Sequence, residues 1–539
     1  MGIPSYFSYI IKNHSDIVKQ FNSNIISVSN FYLDCNSIIY DSYNKIDPQT
    51  LNENSGIQII QSVISKIEEY INIIRPTNKI IIAFDGIAPI AKLKQQRERR
   101  YKSWYQSNVI KDIEENKGLH IQTNSWDRAA ITPGTIFMNE LNERINNHFK
   151  SNKLVIVSGS DQVGEGEHKI FQYIRNNPSN ENTFIYGLDS DLIMLSINHL
   201  HICKNIYLFR ETPNFVQFIN PNLEPNKNYF LDIPELYNSI KNFMSNEITS
   251  NEINRVHDYI LICFLLGNDF LPHFPALNIR TGGIDKILNA YKQVLGNTNN
   301  ILTNGNIIYW DNFKQIIQYL ANHENTYIIN EHKLRNKMEY KTNFIDDDIQ
   351  YFNSTPLFRR ELEEYINPFK PKWQHRYYKA LLTNNSNLIY DKKSISINYL
   401  EGIEWTLKYY TTGQIDWNWK YNYNYPPLLQ DLVKYIPESN SHQFITEYNK
   451  NSINELTQLC YVLPVNSLHL IPTNLSNLLL NKHPEWYRFD CDFVWAYTRY
   501  FWEAHVEMND INIEELSEII SSFNSSLNVE NDTSTSLDK

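Results

Sequence analysis

The stretch KIIIAFDGIAPIAKLKQQRERRYK, residues 79–102, carries three signals in succession. An apolar run ends at Asp85, Gly86 and Pro89 break it, and a segment of helical character with six basic side chains and one glutamate follows. An unbroken run of this kind reads as a strand buried on both faces, and a strand feeding directly into a helix is the repeating unit of an α/β fold. Working outward, FYLDC (31–35), KLVIVSGS (153–160) and FIYGLDSDLIML (184–195) give further strand-like runs, separated by helical stretches such as IQIIQSVISKIEEYINII (57–74). Up to about residue 300 that alternation predicts a mostly parallel sheet flanked by helices.

The whole chain has 539 residues, too many for one simple core, with 42% hydrophobic, 20% charged and 13% aromatic residues. Residues 1–295 form the expected α/β unit. Residues 296–345, polar and Asn-rich, read as a linker or insertion, and residues 346–515, rich in Trp and Tyr, as a second region packed against the first. Residues 516–539 are expected to be a disordered tail. Five scattered cysteines without a CxxC pair fit a reducing compartment, and the longest apolar run, YILICFLL, is too short to cross a bilayer. A soluble chain acting in the cytoplasm is expected, in the host cytoplasm if the source is viral, with the nucleus as the alternative. The abundance of Asn, Ile, Lys and Tyr matches the coding bias of AT-rich genomes such as those of some parasites and large DNA viruses.

Several of the predicted strands deliver acids at their carboxyl ends, where open α/β sheets bind ligands. FYLD supplies Asp34, IIIAFD supplies Asp85, and FIYGLDSD supplies Asp189 and Asp191. GEGEHKI places Glu165 and Glu167 after the run KLVIVSGS, and LLGNDFLPH adds Asp269. One strand-end aspartate caps a helix or closes a turn as readily as it serves chemistry. Seven acids at one edge would repel one another unless cations neutralised them. Oxygen ligands without a His or Cys cluster favour Mg²⁺ or Mn²⁺, and so many carboxylates suit two ions, which together serve phosphodiester hydrolysis. A structural Ca²⁺ site is the alternative, but no EF-hand loop is present.

The basic stretch is unusual in a chain of formal net charge −11. If a helix starts near Pro89, then Lys92, Gln96, Arg99 and Arg100 share one face. A solvated charged helix is the plainer reading, yet such helices mix Glu with Lys, and here only Glu98 opposes the cations. Placed behind Asp85, the face offers forked guanidinium groups to a phosphate.

MGIPSYFSYI, LDCNSIIY, FDGIAPIAKLKQQRERRY, ITPGTIFMNEL, GEGEHKI, YGLDSDLIML and LLGNDFLPH resemble, in order and spacing, the XRN family of 5′→3′ exoribonucleases. WQHRYYKALL, YLEGIEWTLKYYTTGQIDWNWKYNYNYPPLLQDL and LCYVLPVNSLHLIP extend the resemblance to about residue 475. It implies a PIN-like, flap-nuclease-like core and Mg²⁺-dependent, processive removal of nucleotides from single-stranded RNA bearing a 5′-monophosphate. By the same resemblance Asp34, Asp85, Glu165, Glu167, Asp189, Asp191 and Asp269 hold metal, while Lys92, Gln96, Arg99 and Arg100 form the 5′-phosphate pocket. A monomer is expected, with a decapping factor as a possible partner. Tyr40 stands where the family has a histidine that stacks on the terminal base; its partner ring is assigned to Trp417 of DWNW, with Trp419 in reserve. Glu98 stands where the family often has glycine. The rival functions are a structure-specific flap endonuclease acting on DNA and an inactive RNA-binding scaffold; the latter would be signalled by a lost carboxylate, and all seven are present.

Overall fold

The structure, a computed structural model, describes residues 2–24, 26–47, 51–52, 54–118, 126–211, 221, 223–224, 227–244, 252–383 and 390–535. Its centre is a seven-stranded sheet built from β1 (Val18–Gln20), β2 (Asn30–Asp34), β3 (Lys79–Ala83), β4 (Val155–Ser158), β5 (Thr183–Tyr186), β6 (Ile206–Glu211) and β7 (Asn228–Asp232). The order across the sheet is β1-β7-β6-β5-β2-β3-β4. Strands β2 to β6 are mutually parallel, and β7 and β1 close one side antiparallel. The α/β expectation therefore holds.

Side-chain alternation explains why helices cover both faces. Phe31, Leu33, Ile80, Ile82, Phe184 and Tyr186 enter one apolar layer, which includes the Ser55–Ile74 and Ile136–Phe149 helices. Tyr32, Ile81, Ala83 and Ile185 enter the other, which continues into the helical half of the chain through Trp310, Tyr377, Trp405 and Trp419. Chain order runs β2, β3, β4 to one side and then β5, β6 to the other, so the direction of winding reverses between β2 and β5. A crevice outside the carboxyl ends of the strands is expected at such a reversal.

Two expectations for the second half need correction. Residues 296–345 are not a linker: Trp310–Thr342 is a 33-residue helix whose Trp310, Phe313, Ile316, Ile317, Leu320 and Ile328 are buried in the main core. Its inward face also carries Glu324, Glu331, His332 and Arg335, so the stretch reads as polar. The tail boundary at 516 is likewise misplaced. Ile513–Thr535 is helical, and Leu516, Ile519 and Ile520, at i, i+3 and i+4, are buried against Leu459, Leu475 and Trp486. Residues 536–539 lie outside the described ones.

The basic stretch forms the Ile90–Asn116 helix, 27 residues and about 40 Å long. Its first turns are buried between the sheet and the carboxyl-terminal helices, where Leu93 packs with Leu459 and Val462. Farther along, Gln106 Nε2 donates to Asn353 Oδ1 at 2.7 Å and Lys117 pairs with Asp348 at 2.8 Å.

Candidate metal and phosphate site

All seven predicted acids gather at the carboxyl edge around the winding reversal, in two lobes. Asp34 ends β2, and Asp85 follows β3. Glu165 sits at the start of the Gly166–Asn176 helix and Glu167 in its first turn. One carboxylate oxygen each from Asp34, Asp85 and Glu167 lies within 4.8 Å of the others. Gly166 brings the helix start against β2, for a Cβ at that position would come within 2.5 Å of Asp34 Oδ1. Asn36 and the Gly166 N–H aim Asp85: Asn36 Nδ2 donates to its Oδ2, and Gly166 N donates to its Oδ1 at 2.8 Å.

The second lobe holds Asp189, Asp191 and Asp269. FIYGLDSDLIML is not one strand: β5 stops at Tyr186, and Asp191 opens the Asp191–His199 helix, its N–H donating to Asp189 Oδ1 at 3.2 Å. Asp269 lies in the loop after the Glu252–Cys263 helix. Gly2, at φ 56°, closes over this lobe, and a Cβ there would sit 2.1 Å from Asp191 Oδ1. That close approach explains the glycine in the amino-terminal MGI, whose position beside the acids local sequence does not reveal.

Between the lobes stands Lys92. Its Nζ lies 2.5 Å from Glu165 Oε2 and 2.7 Å from Asp269 Oδ2, with all three side chains buried. Burial works against its charge, but Asp269 and Glu165 more than restore it and hold the lysine pKa well above the usual value. Reciprocally, Asp269 is held below the ordinary carboxylate range against the effect of burial, Lys92 being the largest opposing influence. One lysine does not neutralise the set. Burial, then the charges of Asp85 and Asp189, push Asp34 well above the carboxylate range, and burial with Glu165 and Asp34 does the same to Glu167. Asp191 is pushed to about 7 by burial and by Asp189 and Asp269. Buried Asp34 Oδ1 and Asp191 Oδ1 have no hydrogen-bond partner among the described residues. The oxygen donors of the seven acids, their excess negative charge and an orphaned oxygen in each lobe fit hard divalent cations, and a His168 ring nitrogen lies within 4.8 Å of carboxylate oxygens of Glu165 and Glu167.

The basic helix divides its cations between two tasks. Lys92 reaches the acids and Arg100 feels the charge of Asp85, while Arg100 donates to Gln96 Oε1 at 3.2 Å and to Thr132 Oγ1 at 2.9 Å. Burial lowers the Arg100 pKa to about 10. Thr132 belongs to the ITPGTIFM stretch, to which the sequence had assigned no role. Arg99 lines a cavity of about 150 Å³ whose wall also includes Gln95, Glu98, Asp269, Tyr421 and His505. Lys94, Arg97 and Lys102 instead bind backbone carbonyls of Tyr421, of Trp486 and Asn509, and of Ala504. Half of the basic stretch thus fastens the carboxyl-terminal region to the core, which the predicted phosphate-binding face left out.

Tyr40, on the Asn36–Asn44 helix, is half-buried with the Arg128 guanidinium 4.9 Å from its ring centre. Trp417 is half-buried against the main core, and its carbonyl accepts from Ile90 N at 3.1 Å, at the start of the basic helix. Tyr40 and Trp417 do not touch; Trp419, the reserve candidate, is buried and stacks on Trp405 with centroids 5.2 Å apart. Two groups missed by sequence reasoning come from or face the helical region. The Tyr409 hydroxyl donates to Glu165 Oε1 at 2.7 Å, and His168 stacks on the Tyr409 ring with centroids 3.6 Å apart.

The family model described as XRN 5′-3′ exonuclease N-terminus matches residues 1–212, and that described as Xrn1 helical domain matches residues 250–356 and 358–535. Schizosaccharomyces pombe 5′-3′ exoribonuclease 1 is 25% identical over 89% of this chain and 45% of its own length. Arabidopsis thaliana 5′-3′ exoribonuclease 2 is 24% identical over 98% of this chain and 68% of its own. Against the human 5′-3′ exoribonuclease 1, 26% identical, the chain spans 34% of the relative's length. Among solved structures, the catalytic core of Rad2 in complex with DNA overlaps 80% of this chain at 13% identity with a TM-score of 0.33, too slight a likeness to bear on its chemistry. Among the described residues no helix is long and apolar enough to cross a membrane.

Proposed function

The chain belongs to the XRN family of 5′→3′ exonucleases, and from that premise we propose that it is a 5′→3′ exoribonuclease that hydrolyses RNA bearing a 5′-monophosphate, one nucleotide at a time. The observation that carries this reading is the junction of the acidic edge with the basic helix. Lys92 touches Glu165 and Asp269, and Arg100 lies two helical turns along the same face. A terminal phosphate held by Gln96, Arg99 and Arg100 would place the first phosphodiester beside the carboxylates.

Asp34, Asp85, Glu165 and Glu167 would hold one cation and Asp189, Asp191 and Asp269 a second, with Mg²⁺ the proposed ion. Bound there, the pair would supply activation of a water and stabilisation of the leaving oxygen. The protein's own groups do the rest. Asn36 and the Gly166 N–H hold Asp85 in one orientation. Thr132 and Gln96 fix the orientation of the Arg100 guanidinium. Tyr40, beside Arg128, and Trp417, whose carbonyl meets the start of the basic helix, would stack on the first base without choosing its identity. Stacking that accepts any base lets each new 5′ nucleotide take the place of the last, which is what processive degradation requires.

The test is digestion of 5′-monophosphate RNA, 5′-hydroxyl RNA and 5′-monophosphate DNA of one sequence, with Mg²⁺ or with EDTA. The monophosphate RNA should be degraded fastest and only with Mg²⁺. Equal rates on both RNA ends would remove the phosphate pocket from the account, and preference for branched DNA would favour a flap endonuclease.

A further inference from the structure

The Tyr409 hydroxyl has no part in the reading above, yet it touches the acidic edge. Tyr409 lies on the Lys392–Thr411 helix, 244 residues from the glutamate to which it donates. Glu165 is held from two sides, its Oε1 by this phenol at 2.7 Å and its Oε2 by Lys92 at 2.5 Å. Lys92 also binds Asp269, so on its own it would draw Glu165 toward the other lobe and away from Glu167. The phenol holds the other oxygen, and one carboxylate oxygen of Glu165 lies within 4.8 Å of one of Glu167. Its ring has little freedom to yield, being packed by His168 at 3.6 Å, Trp405 at 4.9 Å and Phe270 at 5.4 Å between centroids. Trp405 is in turn backed by Trp419. A phenylalanine would fill the same space without the cost of burying a hydroxyl, so packing alone does not account for a tyrosine here.

We propose that Tyr409 is a positioning residue: its hydroxyl fixes Glu165 in the orientation that completes the cation subsite shared with Glu167, and so makes that subsite depend on the docked helical region. The inference rests on reading the carboxylates as a cation site. Partners that orient a metal ligand are commonly worth ten- to a hundredfold in metal affinity. Mn²⁺ added to the full chain without RNA, with the free ion followed by electron paramagnetic resonance, should bind Tyr409→Phe about tenfold more weakly than the unaltered protein. The kcat on 5′-monophosphate RNA should fall while KM for the RNA holds, because Glu165 lies on the metal side of the site. Tyr399→Phe, on the same helix with its hydroxyl bound to the Pro272 carbonyl at 3.1 Å, should bind Mn²⁺ normally. In a Glu165→Gln background Tyr409→Phe should cost nothing further, since its effect runs through Glu165. Normal Mn²⁺ affinity in Tyr409→Phe, or an undiminished loss in the Glu165→Gln background, would overturn the proposal. Failure of the unaltered protein to bind Mn²⁺ would remove the cation site itself, and this role with it.

Discussion

At the candidate site the parallel sheet and the helical region meet with opposite chemistry. Strands β2 to β5 bring carboxylates to their ends and the loops beyond them, whereas the helical region brings rings: Trp405 and Tyr409 on one helix, with Trp417 and Trp419 just after it. The acids crowd one another, and among the described residues one buried oxygen each of Asp34 and Asp191 has no hydrogen-bond partner; the rings are packed and, apart from Trp417, buried. An edge of crowded charge is suited to holding cations, and a wall of packed rings can hold that charge in place. Substitutions on the two sides should therefore fail in different ways, and the sharpest tests exploit that difference.

The largest effect is expected on the acidic side. Asp191→Asn should lower hydrolysis by on the order of a thousandfold, the scale of losing one electrostatic stabiliser, while RNA binding persists. Without metal its melting temperature should hold or rise, since a repelling charge has gone. A variant that loses stability along with activity would place Asp191 with the packing residues.

Next come the cations between the two regions. Replacing Arg99 and Arg100 by Ala should reduce the preference for 5′-monophosphate over 5′-hydroxyl RNA by at least about a hundredfold, since each arginine loses a hydrogen bond to a charged group worth roughly 1.5–3 kcal/mol. Equal losses on both substrates would mean that the helix attracts only backbone phosphate.

Within the DWNW segment the comparison narrows to two residues. Trp419→Ala should destabilise by roughly 3–5 kcal/mol, as expected for a truncated core ring, whereas Trp417→Ala should leave the melting temperature near normal and shorten processive runs. Tyr40→Ala should shorten runs likewise, from a stacking contribution of roughly 1–3 kcal/mol, and Tyr40→His should keep them. Unchanged run length in both Trp417→Ala and Tyr40→Ala would return the two rings to packing.

How far this division was legible in the sequence follows from distance along the chain. Asp34, Asp85, Asp189 and Asp191 could be read because each closes or soon follows a short apolar run, a signal contained in a few residues. Tyr409 could not, because YYTTG gives no sign that one phenol ends on Glu165. The Trp310–Thr342 helix was hidden by Glu324 and Arg335 on its inward face, where an apolar pattern would be expected. The cations of residues 92–102 were visible as a group, but which of them face substrate depends on carbonyls about 330 to 410 residues away.

The smallest effect separates the regions by pH. In the helical region Glu324 is raised from 4.5 to about 7 by burial, although the N–H groups of Leu429 and Gln430 stabilise its charge. A carboxyl that holds its proton more tightly in the folded chain favours folding most below its ordinary value, and that advantage is lost as the pH climbs from 4.5 to about 7. Glu324→Gln should flatten this part of the stability profile, a change of a few degrees at most in melting temperature for a chain of this size. Mg²⁺ should leave the Glu324 contribution unaltered while raising stability near pH 8 through the acidic edge. A slope unchanged by Glu324→Gln would assign the pH dependence to other buried carboxyls, those of the sheet edge and Asp258 among them.

The central claim, that the acids form two cation subsites on either side of Lys92, is tested most directly by crystals of the full chain grown with Mn²⁺ and measured for anomalous scattering. Two peaks are predicted, one among Asp34, Asp85, Glu165 and Glu167 and the other among Asp189, Asp191 and Asp269. Mn²⁺ bound elsewhere, with neither lobe occupied, would contradict the account.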